Sequence, residues 1–301
     1  MLKSIFRKMS EFLNPKFNHG PRVQMVVILM TFVMLSCNEP GTFFCSTKSI
    51  QLSENSELRE DPLIEFIFLV LGKQPVIETV PVAERKSITA LVKGFRESIS
   101  QTELNMIQHG LVNIQQLDPG IVVEMKYATT DNFLGKDVYE GMTTAYLQPD
   151  VAQMLVRSQR YLQRIRSGYS LIVYDAARPR SVQQKMWDAV DAPFEEKIRF
   201  LSNPRNGSIH NFGAAVDVSI LNDERELLDM GTDFDHMGIL AYPSHEQELL
   251  EQGLLKPHHI ENRKLLRGVM RYGGFWGIQS EWWHFNACTR AEARERYQII
   301  E

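Results

Sequence analysis

The sequence predicts an α+β fold, a single domain in which helices flank a mostly antiparallel sheet. Two observations lead to this class. Strand-like and helix-like stretches intermix over residues 111–301 without the regular strand–helix–strand repetition of a parallel sheet. The preceding residues differ in composition: 1–37 have the pattern of an export signal, and 38–110 combine a polar tether with stretches that the sequence does not assign. The domain is therefore expected to occupy residues 111–301.

The overall composition excludes several classes of protein. The chain has 301 residues and a formal net charge of −4, and no basic stripe with interleaved aromatic residues is present, so a nucleic-acid partner is not expected. Its three cysteines, Cys37, Cys45 and Cys288, form neither a CxxC pair nor an even framework. A structural zinc knuckle and a disulfide scaffold are therefore not predicted, and no protein partner is predicted either.

The N-terminus has the features of an export signal. Basic residues precede the apolar run VQMVVILMTFVML, whose 13 residues fall short of the ~20 that a membrane-spanning helix needs. The run ends at MLSC, which resembles a bacterial lipobox and makes Cys37 the expected lipid-bearing N-terminus of the mature protein. A lipid on Cys37 would hold the protein at a membrane surface, in the periplasm or cell envelope. A plain cleaved signal and an uncleaved anchor are the alternatives.

The first elements of the domain follow from turn signals and periodicity. A strand-like stretch starts near Leu111 and is interrupted by the turn sequence Asp-Pro-Gly at 118–120. Pro149 suits the first position of a helix whose apolar residues recur every three or four residues, up to a stop at Gly168. The stretch YSLIVYDA that follows predicts a buried strand.

Capping signals predict the remaining helices. Ser181 is the expected cap of a helix that ends at Val190, and Ser244 with Gln247 has the spacing of a capping box. A further helical pattern over 260–272 stops at two glycines. Between these helices, AAVDVSIL alternates polar and apolar residues and predicts a half-buried strand.

The stretch SIHNFGAAVD places His210 and Asp217 seven residues apart, a separation that no regular element brings together. On a helix they would lie about 10 Å apart along the axis, and on a strand they would point to opposite faces. Gly213 lies between them and can adopt the positive φ of a sharp bend. The pair is then either a hydrogen-bonded structural couple or two ligands of one metal ion.

A second histidine and a carboxylate occur together in EWWHF. Alone, His284 would be interpreted as a buried histidine bonded to the backbone. Together with His210 and Asp217 it would offer zinc two nitrogens and one oxygen, which leaves a fourth position for water. The surrounding aromatic residues favour a raised pKa for Glu281, which would suit a general base.

Arg178 precedes a proline at the end of the predicted strand VYDA, where the backbone is expected to be extended or turned. Its guanidinium could stabilise the negative charge that develops on an oxygen atom during a reaction. The commoner alternative is a surface salt bridge to Asp175 or Glu124.

These motifs, in this order, resemble the D-alanyl-D-alanine dipeptidases of the VanX type, a branch of the zinc peptidases related to D-Ala-D-Ala carboxypeptidases. The resemblance rests on SxHxxGxAxD, on ExxH with aromatic residues inside it, and on the upstream Arg-Pro. The stretches KYATTDNFLGKDVY and DMGTDFD extend it, so that it covers roughly residues 111–297. One departure is Ala177, where close relatives tend to carry an aromatic residue before the Arg-Pro.

The resemblance implies a substrate, a cofactor and a role for each site residue. The substrate is the D-Ala-D-Ala dipeptide, and one zinc ion is bound per domain. The implied roles are zinc ligand for His210, Asp217 and His284, catalytic base for Glu281, transition-state stabiliser for Arg178, substrate contact for Ser208, and binding of the dipeptide's amine for Asp235.

Two other functions stay open on the sequence alone. A sibling D,D-carboxypeptidase or endopeptidase would act on longer peptidoglycan stems, and a related non-catalytic module would bind zinc without hydrolysis. A purely structural zinc site needs neither Glu281 nor Arg178, so their presence argues against the non-catalytic module.

Further polar clusters are less convincing as sites. The rings of His258 and His259 are adjacent on a predicted helix and should diverge, which makes them poor ligands of one ion. The three aspartates of DMGTDFD lack the spacing of an EF-hand loop and are interpreted as a solvated turn. Ser208 and His210, two residues apart, lack the facing geometry of a nucleophile and its base.

Overall fold

The structure is a computed structural model that describes residues 100–301, except for the side chains at 199 and 200. The predicted export signal, Cys37 and the tether lie outside the described residues. Within 100–301, no helix is both long enough and apolar enough to cross a membrane.

The described part of the chain contains short strands and mostly short helices. The helices are α1 (Gln101–Gln108), α2 (Ile114–Leu117), α3 (Pro149–Ile165), α4 (Arg180–Ala189), α5 (Phe194–Phe200), α6 (Glu246–Glu251), α7 (Pro257–Gly273) and α8 (Arg290–Arg296). The strands are β1 (Val112–Asn113), β2 (Val122–Val123), β3 (Tyr146–Leu147), β4 (Ser170–Asp175), β5 (Ala215–Leu221), β6 (Trp276–Gly277) and β7 (His284–Asn286).

The main sheet has the strand order β2-β4-β5-β7-β6. Only the pairing of β2 with β4 is parallel among these strands, and β1 and β3 form a separate antiparallel pair. The predicted α+β class and a mostly antiparallel sheet are therefore confirmed. Helix α3 packs against β4, and α7 packs against α3, so the long helices are layered beside the sheet.

The register of the three central strands aligns polar residues in a row. Asp175 on β4 is opposite Asp217 on β5, and Asp217 is opposite His284 on β7. Directly paired residues project from the same face of a sheet, so these side chains share one face. The neighbouring pair, Val216 and Phe285, projects from the other face into the core.

The start of helix α3 and the end of helix α7 lie at residues that the sequence singles out, whereas α3 ends at Ile165, three residues before the predicted stop at Gly168. Pro149 is the first residue of α3, as predicted, because the first turn of a helix does not use its N–H group. Helix α7 begins at Pro257, three residues before the predicted start, and is closed by Gly274 at φ +107°, a conformation that glycine adopts without strain.

Two predicted caps are wrong. Helix α4 starts at Arg180 with Pro179 as its N-cap, so Ser181 lies inside the helix. Helix α6 starts at Glu246 with His245 as its N-cap, because the hydroxyl of Ser244 instead donates a hydrogen bond of 2.9 Å to the carbonyl of Gln279. A tertiary contact thus replaces the local capping bond.

Strand β5 is buried on both faces, whereas the alternation of its residues predicts a half-buried strand. The polar face is covered by the segment that follows β5, since Phe234 lies against Tyr174 with the ring centroids 5.0 Å apart. The polar residues of β5 are thus the floor of an enclosed site rather than a solvated surface.

Candidate active site

A short 3-10 turn, Ile209–Phe212, carries His210 and brings it back over β5. The turn ends at Gly213, whose φ of +64° reverses the chain, and a Cβ atom at Gly213 would lie 2.8 Å from the side chain of Leu111. As a result, His210 Nε2 lies 3.4 Å from Asp217 Oδ1. The predicted bend is confirmed.

His284 joins this pair through strand pairing. Its Nδ1 atom lies 3.0 Å from Asp217 Oδ1 and 3.1 Å from His210 Nε2. The three side chains are buried or nearly so, and each offers one ligand atom within 4.8 Å of the others. The structure therefore brings together all three of the predicted zinc ligands.

The second nitrogen of each histidine is held by an oxygen acceptor. His210 Nδ1 lies 2.6 Å from the carbonyl oxygen of Ala176, and His284 Nε2 lies 2.9 Å from Asn286 Oδ1. Each of these nitrogens donates its proton to that oxygen, which assigns the tautomer and leaves the lone pairs of His210 Nε2 and His284 Nδ1 converging beside a carboxylate.

The lone pairs of His210 Nε2 and His284 Nδ1 and the carboxylate of Asp217 repel one another unless a cation lies between them. These three donor atoms therefore fit a metal ion. Burial acts to raise the pKa of Asp217, but His210 and His284, when they carry a proton toward it, hold that pKa below its ordinary range, and a cation at the same place acts in the same direction. Asp217 is therefore an anion, the form that binds metals.

Glu281 stands beside this triad without belonging to it. Its Oε2 atom lies 4.0 Å from His284 Nδ1, and its side chain is 24% exposed. Burial raises the pKa of Glu281 to about 7, and the charges of Asp217 and Asp235 add to the increase. Trp282 and Trp283, aromatic residues of the same motif, are buried.

Arg178 is buried under the pocket and tightly held. Its Nε and Nη2 atoms donate to Asp175 Oδ2, and its Nη1 atom donates to Gln183 Oε1 at 2.8 Å. The guanidinium also stacks over the ring of Tyr127, 5.2 Å from its centroid, and Nη2 lies 3.8 Å from Asp217 Oδ2.

The expected ion pair of Arg178 with Asp175 is present, but its location on the surface is wrong, since both side chains are buried. Glu124, the other partner considered, instead forms an ion pair of 2.7 Å with Lys126. An arginine held this way keeps a fixed position and cannot swing out into solvent.

Asp235 lies in the segment that covers β5, with an unusual backbone. Its φ is +61°, a conformation that costs free energy for a residue other than glycine. The hydroxyl of Tyr127 donates to Oδ1 at 2.8 Å, whereas Oδ2 is buried and has no hydrogen-bond partner among the described residues. Burial raises the pKa of Asp235 to about 7.

Ser208 both caps the 3-10 turn that carries His210 and lines the pocket. Its hydroxyl accepts a hydrogen bond from the backbone N–H of His210 at 3.4 Å and so caps the 3-10 turn.

One pocket of about 250 Å³ unites the site, and it is lined by every one of the predicted site residues: Arg178, Ser208, His210, Asp217, Asp235, Glu281 and His284. Sequence reasoning missed three residues that support them: Tyr127, Gln183 and Asn286. Tyr127 lies inside the motif KYATTDNFLGKDVY, and Asn286 is on the same strand face as His284, so each had an available signal. Gln183 carries no local signal.

A second group, Asp229 with His258 and His259, forms at the start of α7. The prediction that the adjacent rings diverge is wrong: both Nε2 atoms reach Asp229 Oδ2, at 3.1 and 3.0 Å. However, His259 Nδ1 accepts a hydrogen bond from the backbone N–H of Lys256, so its Nε2 carries the proton and donates to Asp229. This group therefore serves as a clamp rather than a metal site.

An α+β domain that gathers two histidines, an aspartate, a glutamate and a buried arginine in one pocket has the organisation of a metallopeptidase. Residues 107–300 match the family Peptidase_M15, described as D-ala-D-ala dipeptidase. The chain belongs to this peptidase family.

Curated relatives give the same picture. The chain is 35% identical over 175 residues to a D-alanyl-D-alanine dipeptidase of Escherichia coli (strain K12), which covers 58% of this chain and 83% of the relative. Proteins of the same name from Enterococcus faecalis (strain ATCC 700802 / V583) and Enterococcus faecium are 25% identical over 193 residues and 28% identical over 192 residues. The matches cover 60% and 58% of this chain, and 92% and 90% of those relatives.

Proposed function

We propose that this protein is a zinc-dependent dipeptidase that hydrolyses D-alanyl-D-alanine to D-alanine. The observation that carries the proposal is the convergence of His210 Nε2, His284 Nδ1 and Asp217 Oδ1, with Glu281 beside them in the same pocket. Membership of the peptidase family and the names of the curated relatives support the choice of substrate.

His210, Asp217 and His284 would hold the zinc ion. Two nitrogens and one carboxylate oxygen are a set found in catalytic rather than closed structural zinc sites. When bound, zinc supplies Lewis acidity, which polarises a carbonyl group and lowers the pKa of a water molecule. The hydrogen bonds to Ala176 and Asn286 keep both rings turned toward the ion.

Glu281 is the general base and then the general acid. Its carboxylate takes a proton from the attacking water and later delivers that proton to the leaving amine, so one side chain serves both halves of the hydrolysis. Its place next to the ligand triad, but not in it, and its partial exposure to the pocket support this role.

Arg178 stabilises the oxygen of the attacked peptide bond. Its hydrogen bonds to Asp175 and Gln183 use three of the five N–H groups of a guanidinium, which leaves two free to face the substrate. Because the side chain is already fixed, no reorganisation is required when negative charge develops.

Asp235 binds the ammonium group of the dipeptide. The unpartnered Oδ2 atom is a buried acceptor on the pocket wall, and an ammonium group would give it the hydrogen bond that it lacks. The hydroxyl of Tyr127 holds the other oxygen in place. Ser208, on the wall of the same pocket, contacts the substrate as well.

The test compares two peptides with and without metal. Purified protein should release D-alanine from the dipeptide faster than from a stem pentapeptide, since a pocket of about 250 Å³ suits a small ligand. Chelation should abolish release and added zinc should restore it. Faster cleavage of the pentapeptide would favour the sibling activity, and zinc binding without hydrolysis would favour the non-catalytic module.

The protein is also proposed to act outside the cytoplasm, in the periplasm or cell envelope, attached to a membrane surface through a lipid on Cys37. The support is the basic flank, the short apolar run and the MLSC sequence.

A further inference from the structure

The pocket wall contains an arginine that the chemistry described so far does not use. Arg290 is the first residue of α8 and lines the pocket together with the catalytic candidates. Its side chain is exposed, and among residues 100–301 it takes part in no hydrogen bond or ion pair. Helix α8 packs against the 3-10 turn that carries His210, which brings Arg290 to the site.

The charges of the pocket show why this arginine matters. The pocket is lined by three carboxylates, Asp217, Asp235 and Glu281, and by two guanidinium groups, Arg178 and Arg290. The charge of Arg178 is balanced by the buried Asp175. Arg290 is therefore the pocket-lining guanidinium whose positive charge has no protein counter-ion among the described residues.

A free dipeptide carries one positive and one negative end. Asp235 offers an acceptor for the ammonium end, and a guanidinium binds a carboxylate through paired hydrogen bonds. We propose that Arg290 binds the C-terminal carboxylate of the substrate and thereby makes the enzyme selective for peptides with a free C-terminus. This inference rests on the proposed dipeptidase function and names a specificity residue for it.

Exposure of Arg290 sets the size of the expected effect. A charge pair that remains in contact with water is screened, so its contribution should be about tenfold in affinity rather than a thousandfold. The same screening makes the contribution depend on salt, and selectivity should decrease as ionic strength rises.

The experiment compares D-Ala-D-Ala with its C-terminal amide, which lacks the negative charge. The wild-type enzyme should have a kcat/KM about tenfold higher for the acid than for the amide. In Arg290→Gln, the value for the acid should fall to about that of the amide, mainly through KM, and the value for the amide should change less than about threefold.

Arg294→Gln is the matched control. Arg294 lies on the same helix, but its guanidinium donates to the backbone carbonyl of Asn206 and does not line the pocket. This variant should keep the acid-to-amide ratio of the wild type. If Arg290 had only a structural role, Arg290→Gln would lower kcat/KM for the acid and for the amide by the same factor. The acid-to-amide ratio would then stay unchanged, and that result would overturn the proposal.

Binding measurements separate failure of this inference from failure of the proposed function. Calorimetric titration of Glu281→Ala with the acid and the amide measures binding without turnover. Equal affinity of this protein for both peptides would overturn the role of Arg290 while leaving the dipeptidase intact. Binding of neither peptide, with no hydrolysis by the wild type, would overturn both.

Discussion

The imidazole of His284 donates a hydrogen bond of 2.9 Å to the side-chain oxygen of Asn286, two residues further along the same strand. The bond fixes which nitrogen of His284 is free to bind a metal. A histidine whose tautomer is already fixed binds a metal without a free-energy cost for reorganisation. The hydrogen bond between His284 and Asn286 should therefore increase metal affinity.

Replacing Asn286 with leucine should weaken zinc binding by about 10–100-fold, the usual effect of losing such a partner. Asn286→Asp keeps an oxygen acceptor at the same position and should retain affinity. Competition with a chromophoric chelator measures both. Equal zinc affinities for the leucine and aspartate variants would show that the hydrogen bond is unimportant.

His210→Ala should remove both zinc and activity, because one of three protein ligands is lost. His258→Ala is the control, since His258 belongs to the clamp at the start of α7 and should leave about one zinc per chain bound. Mass spectrometry of the purified proteins gives the metal content. A full complement of zinc in His210→Ala would refute the ligand assignment.

Glu281→Ala should retain zinc and fold while losing activity, since Glu281 is not one of the three converging ligands. The rate should fall by at least ~10²–10⁴, the usual contribution of general acid–base catalysis, and substrate affinity should change little. Zinc content and D-alanine release are measured on the same sample. Wild-type turnover with full metal would exclude Glu281 as the base.

Asp229 should make stability depend on acid pH. Hydrogen bonds from His258 and from the backbone of Gly231 lower the pKa of Asp229 from 3.8 to about 2. Folding therefore favours the carboxylate, and its contribution is fully present above about pH 4 and is lost as pH falls toward 2.

The measurement is the urea midpoint of wild type and Asp229→Asn from pH 6 downward. Asp229 is 61% exposed at its side chain, so the variant should lose only about 0.5–1 kcal/mol at pH 6, with the difference shrinking toward zero near pH 2. A difference that is constant with pH would show that the charge of Asp229 is irrelevant.

Cys37→Ala should release the protein from the membrane fraction and abolish incorporation of labelled palmitate, if the MLSC sequence is a lipobox. Cys45→Ala, eight residues further on, should leave both unchanged. Absence of label from the wild-type protein would refute lipidation.

The sequence predicts the parts of the site that depend on local conformation. The bend at Gly213 follows from a requirement for positive φ, and the residues inside EWWHF and SIHNFGAAVD were assigned from spacing and resemblance. Assembly of the triad also needs β7 to pair with β5, which no local pattern specifies.

What sequence reasoning missed depends on contacts between distant segments. The hydroxyl of Tyr127 reaches Asp235 across 108 positions, and Ser244 bonds to Gln279 instead of capping its own helix. The hydrogen bonds of His258 and His259 to Asp229 also join segments that are distant in the sequence. Such contacts appear only when packing has placed the segments, so propensity and spacing do not reveal them.

The row formed by Asp175, Asp217 and His284 spans three strands, and each member comes from a different one. If β7 slipped by a single residue against β5, His284 would turn to the opposite face of the sheet and Phe285 would take its place. A misaligned chain could still bury apolar residues, but it could not assemble the triad. Zinc binding during folding would therefore stabilise only the native register of β7 against β5, so the metal would contribute to correct folding of the sheet as well as to activity.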